Sequence, residues 1–327
     1  MNLIRFAARA VLPALAALCA LPQAALAQAY PSKTVTLVVP FPAGGGTDIV
    51  ARLVAAKLSE SLKGSVIVEN KPGASAQIGN KYVVDAAPDG HTLLVGTTSL
   101  INGPALFGNK LPYDAAKQLR PVVSLADLPI FLTISTRHSA KTVAEFVDAM
   151  KKQPVVNFSS AGPGTSLHMS AEWFKQATGI QATHIPFKGS APSIMAVAGG
   201  QVDFNAENLG PALPLVKQGS VRLLAVAAHQ RHPLEPGVPT FKEAGLPDVN
   251  LSTWIFLMAP AATPDAVVQL LNRSINDILR TDEMRDKLLQ QGFVRTGGTV
   301  AEMEARMKAE AELWGTVIRK ANIKIDQ

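Results

Sequence analysis

The sequence contains very little cysteine, with a single residue, Cys19, in 327. Cys19 lies in an N-terminal segment that we expect to be removed. The remaining chain then forms no disulfide bond and has no thiolate nucleophile or thiolate metal ligand. Its histidines are scattered, and the close pair His229 and His232 has no carboxylate neighbours at the spacing of a metal site. We therefore predict that the protein holds no metal ion and no cofactor.

Long apolar runs are also lacking beyond the N-terminus, and no later segment is long enough to span a membrane. At the N-terminus, Arg5 and Arg9 precede an apolar run over residues 11–21, and the tripeptide Ala-Leu-Ala follows at residues 25–27. A spanning helix needs about 20 apolar residues, so a membrane anchor is the weaker interpretation. This order of basic, apolar and small residues predicts a signal peptide, residues 1–27, that is cleaved on export.

Clusters of a single charge sign are absent as well. Removing Arg5 and Arg9 lowers the formal net charge from +6 to +4, so the exported chain is mildly basic. It has no run of lysine and arginine of the kind that binds the phosphates of nucleic acid. We therefore exclude nucleic acid as a partner, and the mild positive charge suits a small anionic ligand.

The motifs of three enzyme classes are missing. The glycines at 44–46 are not followed by the Gly-Lys-Ser/Thr of a phosphate-binding P-loop. A dinucleotide-binding fingerprint would explain Glu69 as a ribose-binding acid, but its third glycine position is Ile49. The chain also lacks the Gly-x-Ser-x-Gly nucleophile elbow of many hydrolases. Because no catalytic set of residues assembles, we predict that the protein is not an enzyme.

What the sequence does contain is an alternation of apolar strands and amphipathic helices. The first series opens with a strand at 34–41 and a helix at 48–62, and the second includes a strand at 201–204. This alternation is typical of α/β proteins, in which helices cover both faces of a parallel sheet.

Two further extended runs, 122–136 and 251–260, predict connections between domains. The 300 residues that follow the signal peptide exceed the usual size of a single core, which favours two domains. If both runs pass from one domain to the other, one domain is discontinuous and covers residues 28–122 plus 250–327, while the other covers 123–249. Two crossing segments make a hinge about which domains can close on a ligand.

Each half of the chain carries a glycine loop between a strand and a helix. The first loop, "PFPAGGGTD", contains Gly44, Gly45 and Gly46, and the second, "SSAGPGTS", contains Gly162 and Gly164. One such loop can simply be a tight turn. A pair of such loops indicates a binding site, because the free N–H groups and dipole at a helix N-terminus favour a bound carboxylate or phosphate. We predict that the two loops hold one anion across a cleft.

Other polar residues near these loops are candidates for the site. A third loop before a helix contains Lys188 and Gly189, and Lys188 could add a positive charge. Asp48 is interpreted as a helix-capping residue, since its carboxylate would repel an anion and could contact a ligand only through an amine. Hydroxyl and amide groups that could orient a carboxylate follow a strand of the first half: Thr97, Thr98, Ser99 and Asn102.

Four ordered stretches resemble the Bug family, the periplasmic solute receptors of tripartite tricarboxylate transporters. They are "YPSKTVTLVVPFPAGGGTDIVAR", "FSSAGPGTSLHMSAE", "HIPFKGSAPSIMAVAGGQVDF", and "PTFKEAGLP" followed by "WIFLMAPAATP". The resemblance covers essentially the whole chain after the signal peptide. It implies a type II periplasmic-binding-protein fold, in which two α/β domains joined by two crossing segments close on a carboxylate-bearing ligand.

The resemblance also implies which loops bind that ligand. In the Bug family the first glycine loop and a facing loop of the second domain hold the carboxylate, often through ordered water. The matching residues here are Phe41, Pro42, Ala43, Gly44, Gly45, Gly46, Ala161, Gly162, Gly164, Thr165 and Ser166. Relatives commonly have Asp-Asn after the "GGQVD" strand, whereas this chain has Glu207-Asn208. We therefore expect Glu207 to alter the rim or the polarity of the pocket.

These observations predict a monomeric, non-catalytic receptor in the periplasm. It would capture a small organic carboxylate and present it to the membrane subunits of a transporter. Two alternatives stay open: an exported α/β enzyme acting on a similar acid, and a ligand-loaded partner of a signalling histidine kinase. Mono- and dicarboxylates, aliphatic or aromatic, are all open as ligands.

Overall fold

The computed structural model describes residues 30–321 and residue 323, and the predicted signal peptide, residues 1–27, lies outside them. The strands are β1 Val35–Val39, β2 Val66–Asn70, β3 Thr92–Thr97, β4 Leu119–Ser135, β5 Asn157–Ser160, β6 Thr183–Pro186, β7 Phe204–Asn208, β8 Val221–Val226, β9 Ser252–Pro260 and β10 Val294–Arg295. The helices are α1 Gly46–Leu62, α2 Gln77–Val84, α3 Thr98–Phe107, α4 Ala115–Gln118, α5 Val143–Met150, α6 Ser166–Thr178, α7 Ser190–Gly199, α8 Leu209–Lys217, α9 Asp265–Arg280, α10 Asp282–Gln290 and α11 Val300–Ala321. In this part of the chain no helix has the length and apolar character needed to cross a membrane.

The strands form one mixed sheet in the order β2-β1-β3-β9-β4-β7-β5-β6, and β8 and β10 also pair with β4. At one end β1 is parallel to β2 and β3, and at the other β5 is parallel to β6 and β7. In the middle, β9 is antiparallel to β3 and β4, and β4 is antiparallel to β7. The expected parallel pairing therefore holds at both ends of the sheet and is wrong in the middle.

The two predicted crossing segments are the antiparallel strands β4 and β9. Strand β4 is 17 residues long. Its first part pairs with β9 as far as Pro129, and from Ile130 onward it pairs with β7 and β8. Both strands are rich in buried apolar residues, which is why the sequence shows them as continuous extended runs.

Helices cover both faces of the sheet, because successive residues of a strand point to opposite faces. In β1, Leu37 packs with α1 and α9, whereas Val38 packs in a separate cluster with residues of α2, α3 and α11. In β4, Ile130 packs in a cluster with α5 and α6, whereas Phe131 packs with α7 and α8. With helices on both faces, the ends of the strands are the parts of the sheet that stay uncovered.

Three expectations about the elements need correction. The strand predicted at 201–204 is β7, Phe204–Asn208, and its interior carries the buried polar residues Asn205 and Glu207 instead of an apolar run. The first long helix begins at Gly46, two residues before Asp48. Helix α3 was not foreseen, although its N-cap, Thr97, accepts a hydrogen bond from the N–H of Ser99 in the manner of a capping residue.

Candidate ligand-binding cavity

A cavity of about 330 Å³ lies at the carboxyl ends of strands β1, β3, β5, β6 and β7. In open α/β sheets this edge is where ligands bind. The residues that line it are Phe41, Pro42, Ala43, Gly44, Gly45, Gly46, Thr47, Thr97, Ser99, Leu128, Ala161, Thr165, Ser166, Leu167, Lys188, Gly189, Ser190, Ala191, Pro192, Asn208 and Thr253. The volume is within the range of small-molecule sites, which begins at about 300 Å³.

The structure brings most of the predicted site residues to this cavity and leaves five of them outside its wall. Those that line it are Phe41, Pro42, Ala43, Gly44, Gly45, Gly46, Thr97, Ser99, Ala161, Thr165, Ser166, Lys188 and Gly189. Those that do not are Asp48, Thr98, Asn102, Gly162 and Gly164. Residues that line it without having been predicted are Thr47, Leu128, Leu167, Ser190, Ala191, Pro192, Asn208 and Thr253.

Five helices begin at the wall of the cavity. Their N-cap residues are Gly45 for α1, Thr97 for α3, Thr165 for α6, Gly189 for α7 and Asn208 for α8, and all five line it. Each N-terminus presents N–H groups and the positive end of a helix dipole. Their convergence makes the cavity favourable for a negative charge.

Free hydrogen-bond donors and side-chain charge support the same conclusion. Within the residues that the structure describes, the backbone N–H groups of Gly46 and Thr47 in α1, and of Ser166 and Leu167 in α6, have no hydrogen-bond partner. The lining residues include one cation, Lys188, and no acidic side chain. An anion in the cavity would therefore meet donors from two sides and no opposing carboxylate.

The first glycine loop is held by Asp48, the third residue of α1. Its carboxylate accepts hydrogen bonds from Gly44 N–H at 3.0 Å, Arg52 Nε at 2.9 Å and Asn70 Nδ2 at 2.9 Å. The Asn70 amide also donates to the carbonyl of Phe41 at 3.1 Å. Gly44 has a left-handed φ of 84°, which favours glycine. Asp48 thus fixes the conformation of the first glycine loop from outside the cavity wall. The N-cap of α1 is Gly45 and not Asp48.

The pKa of Asp48 follows from these contacts. Burial acts to raise the pKa of the carboxyl, but the hydrogen bonds from Arg52, Gly44 and Asn70, with the charge of Arg52, hold it below its ordinary value. Asp48 is therefore ionised at neutral pH. A group with a lowered pKa in the folded state stabilises the fold fully above its unfolded-state pKa of about 4, and this stabilisation is lost as the pH falls through the folded-state value.

We expect Asp48→Ala to lower the free energy of unfolding at pH 7 by about 2 kcal/mol, because it removes three hydrogen bonds that a buried, ionised carboxylate accepts. The difference from the wild type should persist above about pH 4 and shrink only in stronger acid. Denaturant unfolding at several pH values measures both effects. Asp85→Ala, which removes an exposed ion pair with Lys81, is the matched control and should change little. Equal stability of Asp48→Ala and the wild type would show that the network does not hold the loop.

The second glycine loop is held by hydroxyl and imidazole groups. Thr165 caps α6 by accepting from His168 N–H at 3.2 Å, and its hydroxyl donates to the carbonyl of Gly162 at 2.8 Å. Gly164 N–H donates to Nδ1 of His168 at 3.1 Å. Burial, then the charges of His184 and Lys175, lower the pKa of His168 to about 3, so its ring is neutral and able to accept this bond. Gly162 and Gly164 therefore shape the loop from outside the cavity wall.

A chain of polar contacts links the second loop to the two crossing strands. The Ser166 hydroxyl lies 2.6 Å from the hydroxyl of Thr253 on β9, which donates to Oδ1 of Asn208 at 3.1 Å. Asn208 Nδ2 donates to the carbonyl of Leu128 on β4 at 2.9 Å. All four residues line the cavity. Its wall is therefore shared by elements from both ends of the sheet.

Known proteins with similar sequences belong to a family of receptors, which agrees with a cavity suited to a small anion. The family model for the tripartite tricarboxylate transporter family receptor matches residues 50–323. The protein BugT of Bordetella pertussis is 32% identical over 302 residues, which are 91% of this chain and 92% of BugT. The chain belongs to this receptor family. The resemblance to Bug proteins is thereby confirmed.

Solved structures of relatives confirm the fold class. One is Rpa4515 of R. palustris, described with adipate, with a TM-score of 0.87, 34% identity, and 90% of this chain and 99% of that chain covered. Another is MatC of Rhodopseudomonas palustris with bound malate, with a TM-score of 0.81, 32% identity, and 88% and 100% covered. The receptor has the mixed α/β fold of periplasmic solute-binding proteins of this type, and its family is one of receptors and not an enzyme class.

Two predicted residues of the receptor lie beneath the cavity wall. Thr98 Oγ1 accepts a hydrogen bond from Trp254 N–H at 3.1 Å, which joins α3 to β9. Asn102, one helical turn later, is 1% exposed, and neither atom of its amide has a partner among the described residues. Helical periodicity explains this placement, because Thr98 and Asn102 are four residues apart and share the buried face of α3, whereas Ser99, the residue after Thr98, lines the cavity.

The receptor also contains a serine–histidine pair that bears on the enzyme alternative. Ser160 Oγ lies 2.7 Å from Nε2 of His184. Burial, then the charge of Lys175, lower the pKa of His184 to about 4. Ser160 is fully buried, does not line the cavity, and exchanges hydrogen bonds with the backbone of Gly162. The pair supports the second loop and has no access to a substrate in the cavity.

Proposed function

We propose that this receptor captures a small organic carboxylate in the periplasm and presents it to the membrane subunits of a tripartite transporter. The observation that carries the proposal is the convergence of five helix N-termini on one cavity whose single charged lining residue is Lys188. The adipate and malate named with two structural relatives support a carboxylate as the ligand.

We also propose how the receptor reaches the periplasm and how its two domains capture the ligand. The signal peptide, residues 1–27, is cleaved on export, and the mature receptor works as a monomer. Residues 28–122 plus 250–327 form one domain and residues 123–249 the other. They close on the ligand about the two crossing strands, β4 and β9.

Calorimetric titration of the mature chain tests ligand capture. Adipate and malate are the first probes, and the corresponding uncharged diamides are matched controls that keep the size of each acid. We expect saturable binding of at least one acid and none of the diamides, because the helix N-termini favour a negative charge. If neither these acids nor a wider panel of organic carboxylates binds, the proposal is wrong.

We also expect the receptor to return its ligand unchanged. Ser160 is buried away from the cavity, and in the described residues no group of three or more potential metal ligands occurs. Prolonged incubation with a bound acid, followed by mass spectrometry of the released small molecule, measures this. Heat-denatured protein is the control for spontaneous reaction. Turnover that occurs with the native protein and not with the heat-denatured protein would favour the exported-enzyme alternative.

A further inference from the structure

Glu207 lies directly behind the cavity wall and is fully buried. Its Oε1 accepts hydrogen bonds from the Ser190 hydroxyl at 2.7 Å and from Asn208 N–H at 2.9 Å. Among the described residues, its Oε2 has one hydrogen-bond partner, Asn205 Nδ2, at the long distance of 3.4 Å. Ser190 and Asn208 both line the cavity, so Glu207 positions two polar groups that face a ligand.

The surroundings of Glu207 do not compensate a negative charge. The elements packed against β7, and the segments that adjoin them, carry these charged or titratable side chains: Arg120 and Asp127 on β4, His168, Glu172 and Lys175 on α6, His184 on β6, Lys188 before α7, Lys217 on α8, Arg222 on β8 and Asp203 just before β7. In the described structure none of them forms a hydrogen bond or ion pair with Glu207, whose partners are all neutral. Ionising a buried carboxyl group that has only neutral hydrogen-bond partners costs free energy.

The proton therefore stays on Glu207 well above the pH at which ordinary carboxyls lose it. Burial raises the pKa of Glu207 to about 8, against the smaller opposing effect of the hydrogen bonds from Ser190 and Asn208. At neutral pH the side chain is mostly neutral. Its ionisation falls between about pH 7 and 9, where adipate and malate are already fully ionised because ordinary carboxyls titrate near pH 4.

We propose that Glu207 keeps its proton when the cavity is filled, so that above neutral pH the receptor takes up part of a proton as it binds an anionic carboxylate. This inference rests on the proposed function. A carboxylate held by the first turn of α7 would be separated from Glu207 by Ser190 alone. Two negative charges at such a distance repel each other, so the ligand favours the protonated form of Glu207. By linkage, the protonated form favours the ligand to the same extent.

The test is calorimetric titration of the mature wild-type chain with adipate, and separately with malate, between pH 6.5 and 9.5. We expect affinity to fall about tenfold over this range, which corresponds to a rise of about one unit in the pKa of Glu207 on binding. Near pH 8, titrations in buffers with different ionisation enthalpies should show uptake of a fraction of a proton. This second measurement uses the wild-type protein, so it decides the question even if a Glu207 variant fails to fold.

Two variants test whether the pH dependence of the affinity comes from Glu207 or from another titrating group. Glu207→Gln keeps the shape of the side chain and cannot ionise, so its affinity should stay constant between pH 6.5 and 9.5. Glu310→Gln is the matched control, because burial also raises the pKa of Glu310, which lies on α11 and hydrogen-bonds Trp314 away from the cavity. It should retain the pH dependence of the wild type.

The outcomes of this experiment are distinct. A wild-type affinity that is independent of pH, or a Glu207→Gln affinity that still falls, would overturn the role of Glu207 while leaving the receptor function in place. Absence of carboxylate binding at every pH would overturn the proposed function and this inference with it.

Discussion

Gly45→Val should lower the affinity for a bound carboxylate by at least about 100-fold and leave the fold intact. Gly45 is the N-cap of α1 and lines the cavity beside the free N–H groups of Gly46 and Thr47. A valine side chain there would occupy the space through which a carboxylate reaches these donors. Loss of two charge-assisted hydrogen bonds is worth more than 2.7 kcal/mol, which is the energy of a 100-fold change.

The fold should survive because the protein leaves room for a side chain at this position. A Cβ on Gly45 would meet only the carbonyl oxygen of Pro42, at 3.7 Å, and the φ of −79° suits any residue. The remaining cost is that valine is a poorer N-cap than glycine, by about 1 kcal/mol. In a chain of this size that lowers the melting temperature by about 2–4 °C.

Two other glycines make the experiment specific. A Cβ on Gly237 would have no atom within 4 Å, so Gly237→Val should change neither affinity nor melting temperature. A Cβ on Gly46 would lie 2.6 Å from Leu128 Cδ2 and 3.4 Å from Phe293, so Gly46→Ala should destabilise the fold as well as reduce binding. Calorimetry and thermal unfolding of the three variants measure both quantities. Unchanged affinity in Gly45→Val would show that the first loop is only a turn.

The glycine loops could be predicted from the sequence because their signal is local. An apolar strand, a glycine bend and a helix start follow one another within about ten residues at Gly44–Gly46 and again at Gly162–Gly164. The same local pattern located Lys188 and Gly189. Strands β4 and β9 could be predicted equally well, since both are long and rich in buried apolar residues. The class of fold required no information beyond this pattern and the family resemblance.

The rest of the wall depends on contacts between distant parts of the chain. Asn208 and Thr253 line the cavity because β7, β4 and β9 meet there, and they are separated by 45 positions in sequence. Strand β7 was misplaced because three of its five buried residues, Asn205, Glu207 and Asn208, are polar, so it lacks the apolar run that marks a strand buried on both faces. Asn102 was wrongly predicted to contact the ligand. Its amide is suited to a ligand site, but its position on α3 places the side chain in the interior, and residue type alone does not determine which way a side chain points.

Strands β4 and β9 are the elements on which ligand-driven closure would depend. On the proposed domain boundaries, α1 and α3 belong to one domain and α6, α7 and α8 to the other, while β4 and β9 connect them. The five N-cap residues at the cavity therefore come from both domains. A ligand that contacts both sets binds the closed form better than the open form, and this difference in affinity shifts the population toward closure.

A bound carboxylate should consequently stabilise the receptor and make it more compact. At a ligand concentration 100 times the dissociation constant, mass action adds about 2.7 kcal/mol to the free energy of unfolding. Thermal unfolding should show this as a clear rise in melting temperature, and small-angle scattering should show a smaller radius of gyration. Gly45→Val at the same concentration of acid is the control: with an affinity at least 100-fold lower it is at most half saturated, so mass action adds no more than about 0.4 kcal/mol relative to the free variant, and the decrease in its radius of gyration should be correspondingly smaller. If an acid binds the wild type tightly and its scattering curve is the same with and without that acid, the two loops do not close on one ligand. The first loop and its partner at Thr165 and Ser166 would then act as separate anion-binding turns, because a ligand shared between moving domains cannot leave their separation unchanged.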